Sequence, residues 1–340
     1  MLNIFRKNDP YRILALVLLL IVTRVLFMVL INQGFEGISR QNETLLATNP
    51  EGNGPLGIWI VELIRSTTFA ELLSVSIAAI LVLLNGVQLN SLLIRNSSLS
   101  ENTYVPAAFF VFFMSSSADF YYFSPALLSS SFIILSLNYL FYHIKYRGTE
   151  ENIISTGFGI GMAGLIYTPF LWLYLFILLA YLIYSNTIRR RYFLMTWGSL
   201  LPLIAYWLFY FWNDRGLEAL NFLGNQLTAI EAIKVSPKKL GFTLGFGLLI
   251  GMMGFGSSFA AQGKTNHQIA MQRAMSWNAL FAIVIAVLYA GKVLENEILI
   301  IPSLAYFATQ LVLNIERKWL REGLFSLCLV IGLMAVYLGY

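Results

Sequence analysis

The chain has 340 residues, of which 58% are hydrophobic and only 11% charged, with a mean hydropathy of +0.71. Soluble domains carry about 25% charged residues, so a water-exposed fold and a disordered chain are both excluded. The excess of 22 Lys and Arg over 17 Asp and Glu, +5 net, forms no basic stripe, so nucleic acid is not an expected partner.

Length and hydropathy predict an all-α, polytopic transmembrane bundle of about eleven helices in a single transmembrane domain, 1–340. Arg6, Lys7 and Arg12 precede an apolar run from Ile13 to Ile31, long enough to cross about 30 Å of hydrocarbon. No small-x-small cleavage site follows it, so it reads as a permanent first helix rather than a signal peptide. A polar loop, 32–56, leads to GIWIVELIRS at 57–66, whose apolar spacing predicts a short interfacial helix.

Further spans are predicted at Phe69–Leu93, Tyr104–Ala118 and Pro125–Tyr142. Two short runs, 153–167 and 169–184, meet at Thr168-Pro169, and another span covers Phe193–Trp212. Residues 213–239 form an outer segment in which Leu220, Leu223, Leu227 and Ile230 predict an amphipathic surface helix. The C-terminal part, 240–340, holds four runs, near 240–261, 275–291, 298–315 and 323–339.

Basic residues favour one orientation. With the N-terminus inside, 14 of the 22 are cytoplasmic: Arg6, Lys7, Arg12, Arg95, Lys145, Arg147, Arg189, Arg190, Arg191, Lys264, Arg273, Arg317, Lys318 and Arg321. A single crossing over 153–184 would put the Arg317 cluster outside, so the split pair is preferred. The expected location is a bacterial inner membrane, with the C-terminus periplasmic.

Gly159-Ile160-Gly161-Met162-Ala163-Gly164 matches G-x-G-x-x-G, but it lies in an apolar helix without the strand that a dinucleotide fold needs. Close helix packing explains it and Gly157-xxx-Gly161 equally well. The single Cys328 and the separated His143 and His267 give no metal-ligand spacing, and no cofactor is expected.

Arg24 is the most informative residue. It falls near the middle of the first span, where a cation costs several kcal/mol on insertion scales. It must meet a lipid phosphate, a cavity, backbone carbonyls or an Asn, with Asn85, Asn90 and Asn138 as candidates. Asp119 sits in a polar turn between Ser115-Ser116-Ser117 and an aromatic run. Glu36 in the long outer loop and Asp119 are the candidate bases. Arg24, Arg40 and Arg65 are candidate phosphate contacts.

The order of LGIWIVELIRS, NTYVPAAFFVFFMSSSADFYYFSPALLSSSFIILSLNYLFYHIKYR and GFGIGMAGLIYTPFLWLYLFILLAYLIY resembles the N-terminal helices of GT-C glycosyltransferases, over residues 1–212. The chain also resembles an uncharacterised Bacteroidota membrane-protein family. The first resemblance implies a polyprenyl-phosphate-linked sugar handled at the outer membrane face. The early outer loop, NQGFEGISRQNETLL, lacks the acidic pair of that family, however. The expected function is therefore a non-catalytic subunit of an inner-membrane complex on a GT-C-like scaffold, with partner chains and membrane lipids as partners. A glycosyltransferase and a transporter are the alternatives.

Overall fold

The computed structural model describes residues 11–31, 53–115, 120–146, 149–184, 189–228, 264–289 and 294–315, with some isolated positions such as Phe5, Arg317 and Phe325. Side chains are described over most of these ranges, those of residues 26–31 and 294–296 being among the exceptions. Among the described residues the fold is all-α, with eleven α-helices. They are α1 Arg12–Ile31, α2 Pro55–Arg65, α3 Ala70–Arg95, α4 Val105–Met114, α5 Pro125–Tyr146 and α6 Glu150–Ile166. After a 3-10 turn at Thr168–Trp172 come α7 Leu173–Tyr184, α8 Arg189–Trp212, α9 Gly216–Thr228 and α10 Asn266–Leu288. A second 3-10 turn, Leu294–Leu299, leads into α11 Ile301–Leu313. The expected spans at 240–261 and 323–339 lie almost wholly outside the described residues.

Four helices, α3, α5, α8 and α10, are long and apolar enough to cross a membrane. Their surfaces agree with that role. Trp277, Leu280, Val284 and Leu288 form an exposed apolar stripe along α10, and Leu14, Leu18, Ile21 and Val25 form another on α1. Stripes of this kind, opposite a buried face, give helices that are apolar all round.

Two helices are much shorter than expected of spans. α4 has ten residues, about 15 Å, and nine of them are buried. It ends at Met114, with Ser115 as the C-cap whose N–H bonds to the Val111 and Phe112 carbonyls and whose Oγ donates to the Val111 carbonyl at 2.8 Å. Of the predicted span to Ala118, Val105–Met114 is helix, and Ser116–Asp119 lie outside the described residues. α11, also almost wholly buried, packs on α4, so these two form the core that longer helices surround. α10 starts earlier than the predicted 275, at Asn266. The Thr265 N–H is bonded to Gln268 Oε1 at 3.0 Å, a capping interaction that starts a helix within a polar stretch.

Side-chain pairings fix helix directions. Ser74 receives the Phe123 N–H, Asn85 meets Ser130 and Ser131, and Asn96 meets Asn138, so α3 and α5 run parallel. Ser129 and Ser136 bond to the carbonyls of Ala163 and Thr156, so α6 runs back. Gly157 abuts Met195 and Ser199, Gly161 abuts Ser199 and Pro202, and Gly198 abuts Ile154. From Glu150–Arg190 through Gly157–Met195 to Gly161–Pro202 the numbers rise together, so α8 runs parallel to α6. A return path must lie between them, and the 3-10 turn with α7 supplies it, as the split-pair reading requires. Inter-helix hydrogen bonds of this type commonly tie membrane bundles together.

One end of the bundle is basic. Lys145 Nζ donates to Ser97 Oγ at 2.8 Å and the Arg95 carbonyl at 3.4 Å. Gln268 donates to the Ser97 carbonyl, and Arg190 pairs with Glu150 at 3.4 Å. Lys264 donates to Gln272 at 3.0 Å and Gln310 at 3.5 Å, and burial lowers its pKa. The opposite end, called the far end below, holds α2 and α9. α2 lies across the N-terminal ends of α3 and α5 and the C-terminal end of α6, where Gly54 N–H donates to the Ile166 carbonyl at 2.9 Å. The end of the first polar loop and α9 thus share one face of the bundle, as expected.

α9 differs in rotation from the predicted amphipathic face. Ala219 is buried, and Leu223 and Leu227 are half-buried, but Leu220 is 51% exposed beside Leu217. Ile230 lies outside the described residues. The cause is a hydrogen-bond relay: Trp172 Nε1 donates to the Tyr289 hydroxyl at 2.6 Å, which donates to the Leu227 carbonyl at 3.0 Å. This clamp turns one side of α9 onto the 3-10 turn.

The two ends provide a topology prediction. With Cys328 changed to Ser, a cysteine replacing Glu62 on exposed α2 and one replacing Tyr146 should label from opposite sides of a sealed vesicle. Labelling from the same side would break the arrangement above. A second prediction concerns the α2 anchor. A Cβ at Gly54 or Gly57 would overlap the backbone carbonyls of Leu165 or Ile166. Gly54→Ala or Gly57→Ala should destabilise by about 1–3 kcal/mol, whereas Gly224→Ala, with open space around it, should be neutral or mildly stabilising. Thermal unfolding of the three variants in detergent checks the contrast.

Candidate functional site

Arg24 lies just past the midpoint of α1 toward the far end, and it is 8% exposed. Its guanidinium points into the bundle. Nη1 donates to the carbonyls of Val75 at 3.2 Å and Tyr121 at 3.3 Å, and Nη2 donates to the Phe120 carbonyl at 3.4 Å. The Tyr121 ring stands 5.0 Å from the guanidinium carbon, within cation–π range. Tyr121 in turn donates toward the carbonyls of Thr23 at 3.3 Å and Ser115 at 3.2 Å.

The cause is the shortness of α4. The chain leaves that helix partway across the bundle, and in the turn Phe120–Ser124 the Ser124 carbonyl accepts from α5 while those of Phe120 and Tyr121 accept from Arg24. Unpaired backbone groups at membrane depth are costly. Arg24, with five donors in a planar fork, meets two of these carbonyls and one on α3. The Ser74 hydroxyl accepts the Phe123 N–H at 2.9 Å and completes the anchoring of the turn.

The Asn candidates for Arg24 serve other purposes. Asn85 donates to the Leu127 carbonyl and Ser130 and accepts from Ser131 at 2.6 Å. Asn138 accepts from Asn96. Asn90 is buried, and its oxygen has no hydrogen-bond partner among the described residues. No carboxylate among the described residues pairs with Arg24.

Of the other candidate site residues, Glu36, Arg40 and Asp119 lie outside the described residues. Arg65 ends α2 with its side chain exposed, and it takes no part in the bonding around Arg24. Glu62 is exposed on α2 and Glu71 is exposed in the first turn of α3. His143, given no role in the sequence, is buried in α5 with its ring 5.1 Å from that of Tyr181. Among the described residues no three His, Cys, Asp or Glu gather as a metal site. The glycine motif is spent on packing: Gly157 and Gly161 on α8, Gly159 on Phe132 and Ser136, and Gly164 on Leu171.

The sequence reading missed a groove at the far end. It measures about 640 Å³ and lies between Pro55, Leu56 and Trp59 of α2, Phe158, Met162 and Leu165 of α6, and the second half of α8. The available signal was Pro202 within α8, opposite Gly161. The groove's lining holds no charged side chain. A scan against protein-family models finds no match to this chain, and a search of curated proteins likewise finds none.

Proposed function

We propose that the protein is a non-catalytic integral subunit of a membrane complex, built on a scaffold resembling that of GT-C glycosyltransferases, with its basic end in the cytoplasm. The observation that supports this reading is the use made of Arg24. A cation buried in the bundle is directed to backbone carbonyls that hold a turn in place, and no carboxylate among the described residues pairs with it. Arg95, Lys145, Arg190 and Lys264 sharing one end supports the cytoplasmic assignment. The partner-facing element is the polar loop 32–52, which leads into the anchored Gly54.

Photo-crosslinking side chains at positions 36 and 40, activated in native membranes, test the reading. A stoichiometric adduct to another membrane protein is the expected result. The opposite result is no protein adduct, together with lipid-linked sugar transfer that Glu36→Gln abolishes.

That outcome would support a second reading, a glycosyltransferase acting on a polyprenyl-phosphate-linked sugar. One observation favours it: the apolar groove lies at the end of the bundle where Gly54, which follows the Glu36 loop in sequence, is anchored to Ile166. Glu36 or Asp119 would then be the base, and Arg24, Arg40 or Arg65 the phosphate contact.

A further inference from the structure

The two short helices at the far end, α2 and α9, have exposed surfaces divided in the same way. On α2, Gly57 and Ile64 are buried against the bundle. Helical spacing puts the exposed Trp59 and Leu63, with Leu56, on one flank, and the exposed Glu62 and Arg65 on the other. On α9, Ala219 is buried, Leu217 and Leu220 are exposed on one flank, and Glu218 and Asn221 are exposed on the other. The apolar flanks share a direction. Leu56 and Trp59 face a groove whose wall includes Phe158, at the middle of α6, so the apolar side of α2 is turned toward mid-depth. Gly216, one turn before Leu220 on the same side of α9, abuts Trp207 and Phe211 of α8. The apolar side of α9 therefore adjoins the exposed Leu208, Phe209 and Phe211 on the last turns of that spanning helix.

From this division we infer that the far end is a lipid-docking surface, in which α2 and α9 lie flat in the headgroup–acyl boundary of one leaflet. Trp59, Leu63, Leu217 and Leu220 are then in hydrocarbon, and Glu62, Arg65, Glu218 and Asn221 are in water. This rests on the membrane reading alone and not on the choice between subunit and enzyme. The pattern selects lipid over a protein partner. A protein interface has an apolar centre ringed by polar residues. Here an apolar–polar line runs along two separate helices, each with its apolar side toward the spanning helices. A plane between hydrocarbon and water imposes that line on every helix lying in it. Trp59 and Trp212, 60% and 90% exposed, stand where α2 and the end of α8 meet this plane, the level that amphipathic aromatic rings favour. The polar flanks mix signs, Glu62 with Arg65 on α2 and Asp214 and Glu218 with Arg215 at the start of α9, all of them exposed. The surface thus fits zwitterionic lipid and needs no anionic headgroup. The same plane accounts for the rotation of α9: its clamped side meets protein, and Leu220 is left for the membrane.

The test uses the full chain with Cys328→Ser, reconstituted in phosphatidylcholine vesicles, with a nitroxide spin label on a single added cysteine. Leu63→Cys, Leu217→Cys and Leu220→Cys probe the apolar flanks, and Glu62→Cys and Asn221→Cys the polar ones. All these side chains are exposed, so no label enters the core. Relaxation by oxygen, which concentrates in hydrocarbon, is compared with relaxation by a water-soluble nickel chelate. The oxygen-to-nickel ratio at positions 63, 217 and 220 should exceed that at 62 and 221 about fivefold or more. Nickel access at 63, 217 and 220 equal to that at 62 and 221 would put both flanks in water and overturn the assignment. Low access to both reagents would mean that another segment of the chain, a second copy or a partner protein covers these leucines, and would overturn it equally. Cross-linking at positions 36 and 40 is read independently, so the subunit reading can fail while the lipid surface stands, and the reverse.

Discussion

Arg24→Leu should lower stability by about 2–4 kcal/mol, read as a fall of roughly 3–6 °C in the unfolding midpoint of the detergent-solubilised protein. The substitution removes a side chain that donates to three carbonyls. A hydrogen bond to a charged donor contributes about 1.5–3 kcal/mol in water-based measurements. Inter-helix bonds in a membrane average less, near 0.6 kcal/mol, which sets the lower bound. Leucine leaves the Phe120 and Tyr121 carbonyls without their donor in an apolar setting, and that desolvation term dominates. Arg24→Lys should recover part of the loss, because an ammonium keeps the charge but cannot span carbonyls on two elements with a rigid fork.

Tyr121→Phe offers an internal control. It removes the bonds toward Thr23 and Ser115 and should cost about 1 kcal/mol alone. Arg24 and Tyr121 secure the same turn, so their effects should combine to less than their sum. An Arg24→Leu protein as stable as the parent would remove the structural role and return Arg24 to the ligand reading. Unchanged partner cross-linking in a folded but less stable Arg24→Leu protein would place its role in the fold alone.

The legible parts of this fold were those set by burial in lipid. Runs of apolar residues located α1, α3, α5 and α8 to within a few positions, and the charge distribution anticipated the shared basic end. Thr168-Pro169 marked the break that became a 3-10 turn. Less legible were features that depend on partners distant in sequence. Nothing local shows that α4 stops at Met114, because a ten-residue helix and a longer span share the same composition. The start of α10 at Asn266 rests on a cap within polar residues, where hydropathy has no signal. At the candidate site, Arg24 was conspicuous from its cost in lipid. Its partners were not, because Val75, Phe120 and Tyr121 meet it through carbonyls, which every residue possesses, and the Tyr121 ring reaches it only from 97 positions away. The groove was hidden for a related reason: its walls are ordinary lipid-compatible side chains, and their spacing is set by glycine contacts between distant positions.

Those glycine contacts carry the second large prediction. In an isolated helix, Gly→Ala stabilises by about 1 kcal/mol, so a surface glycine on α6 would gain from the change. Gly157 and Gly161 should do the opposite. A Cβ on Gly157 would overlap the Met195 carbonyl, and one on Gly161 would overlap the Ser199 carbonyl and press on Pro202 at 3.0 Å. Backbone atoms cannot rotate aside as a side-chain tip can, so α8 must move outward along its contact with α6. Overpacking of this kind costs about 1–3 kcal/mol per site, occasionally more. Gly157→Ala with Gly161→Ala should therefore lose on the order of 4 kcal/mol or more. Replacing Gly161 with Val should abolish the folded state at growth temperature. Gly224→Ala in α9 supplies the reference for the intrinsic helix gain. A double variant that unfolds at or above the parental temperature would show that α6 and α8 are not in backbone contact. The consequence reaches the far end, since α8 forms one wall of the groove. Gly161→Ala alone, if still folded, should widen the space between Met162 and Tyr206, read as a longer distance between spin labels placed at those two positions.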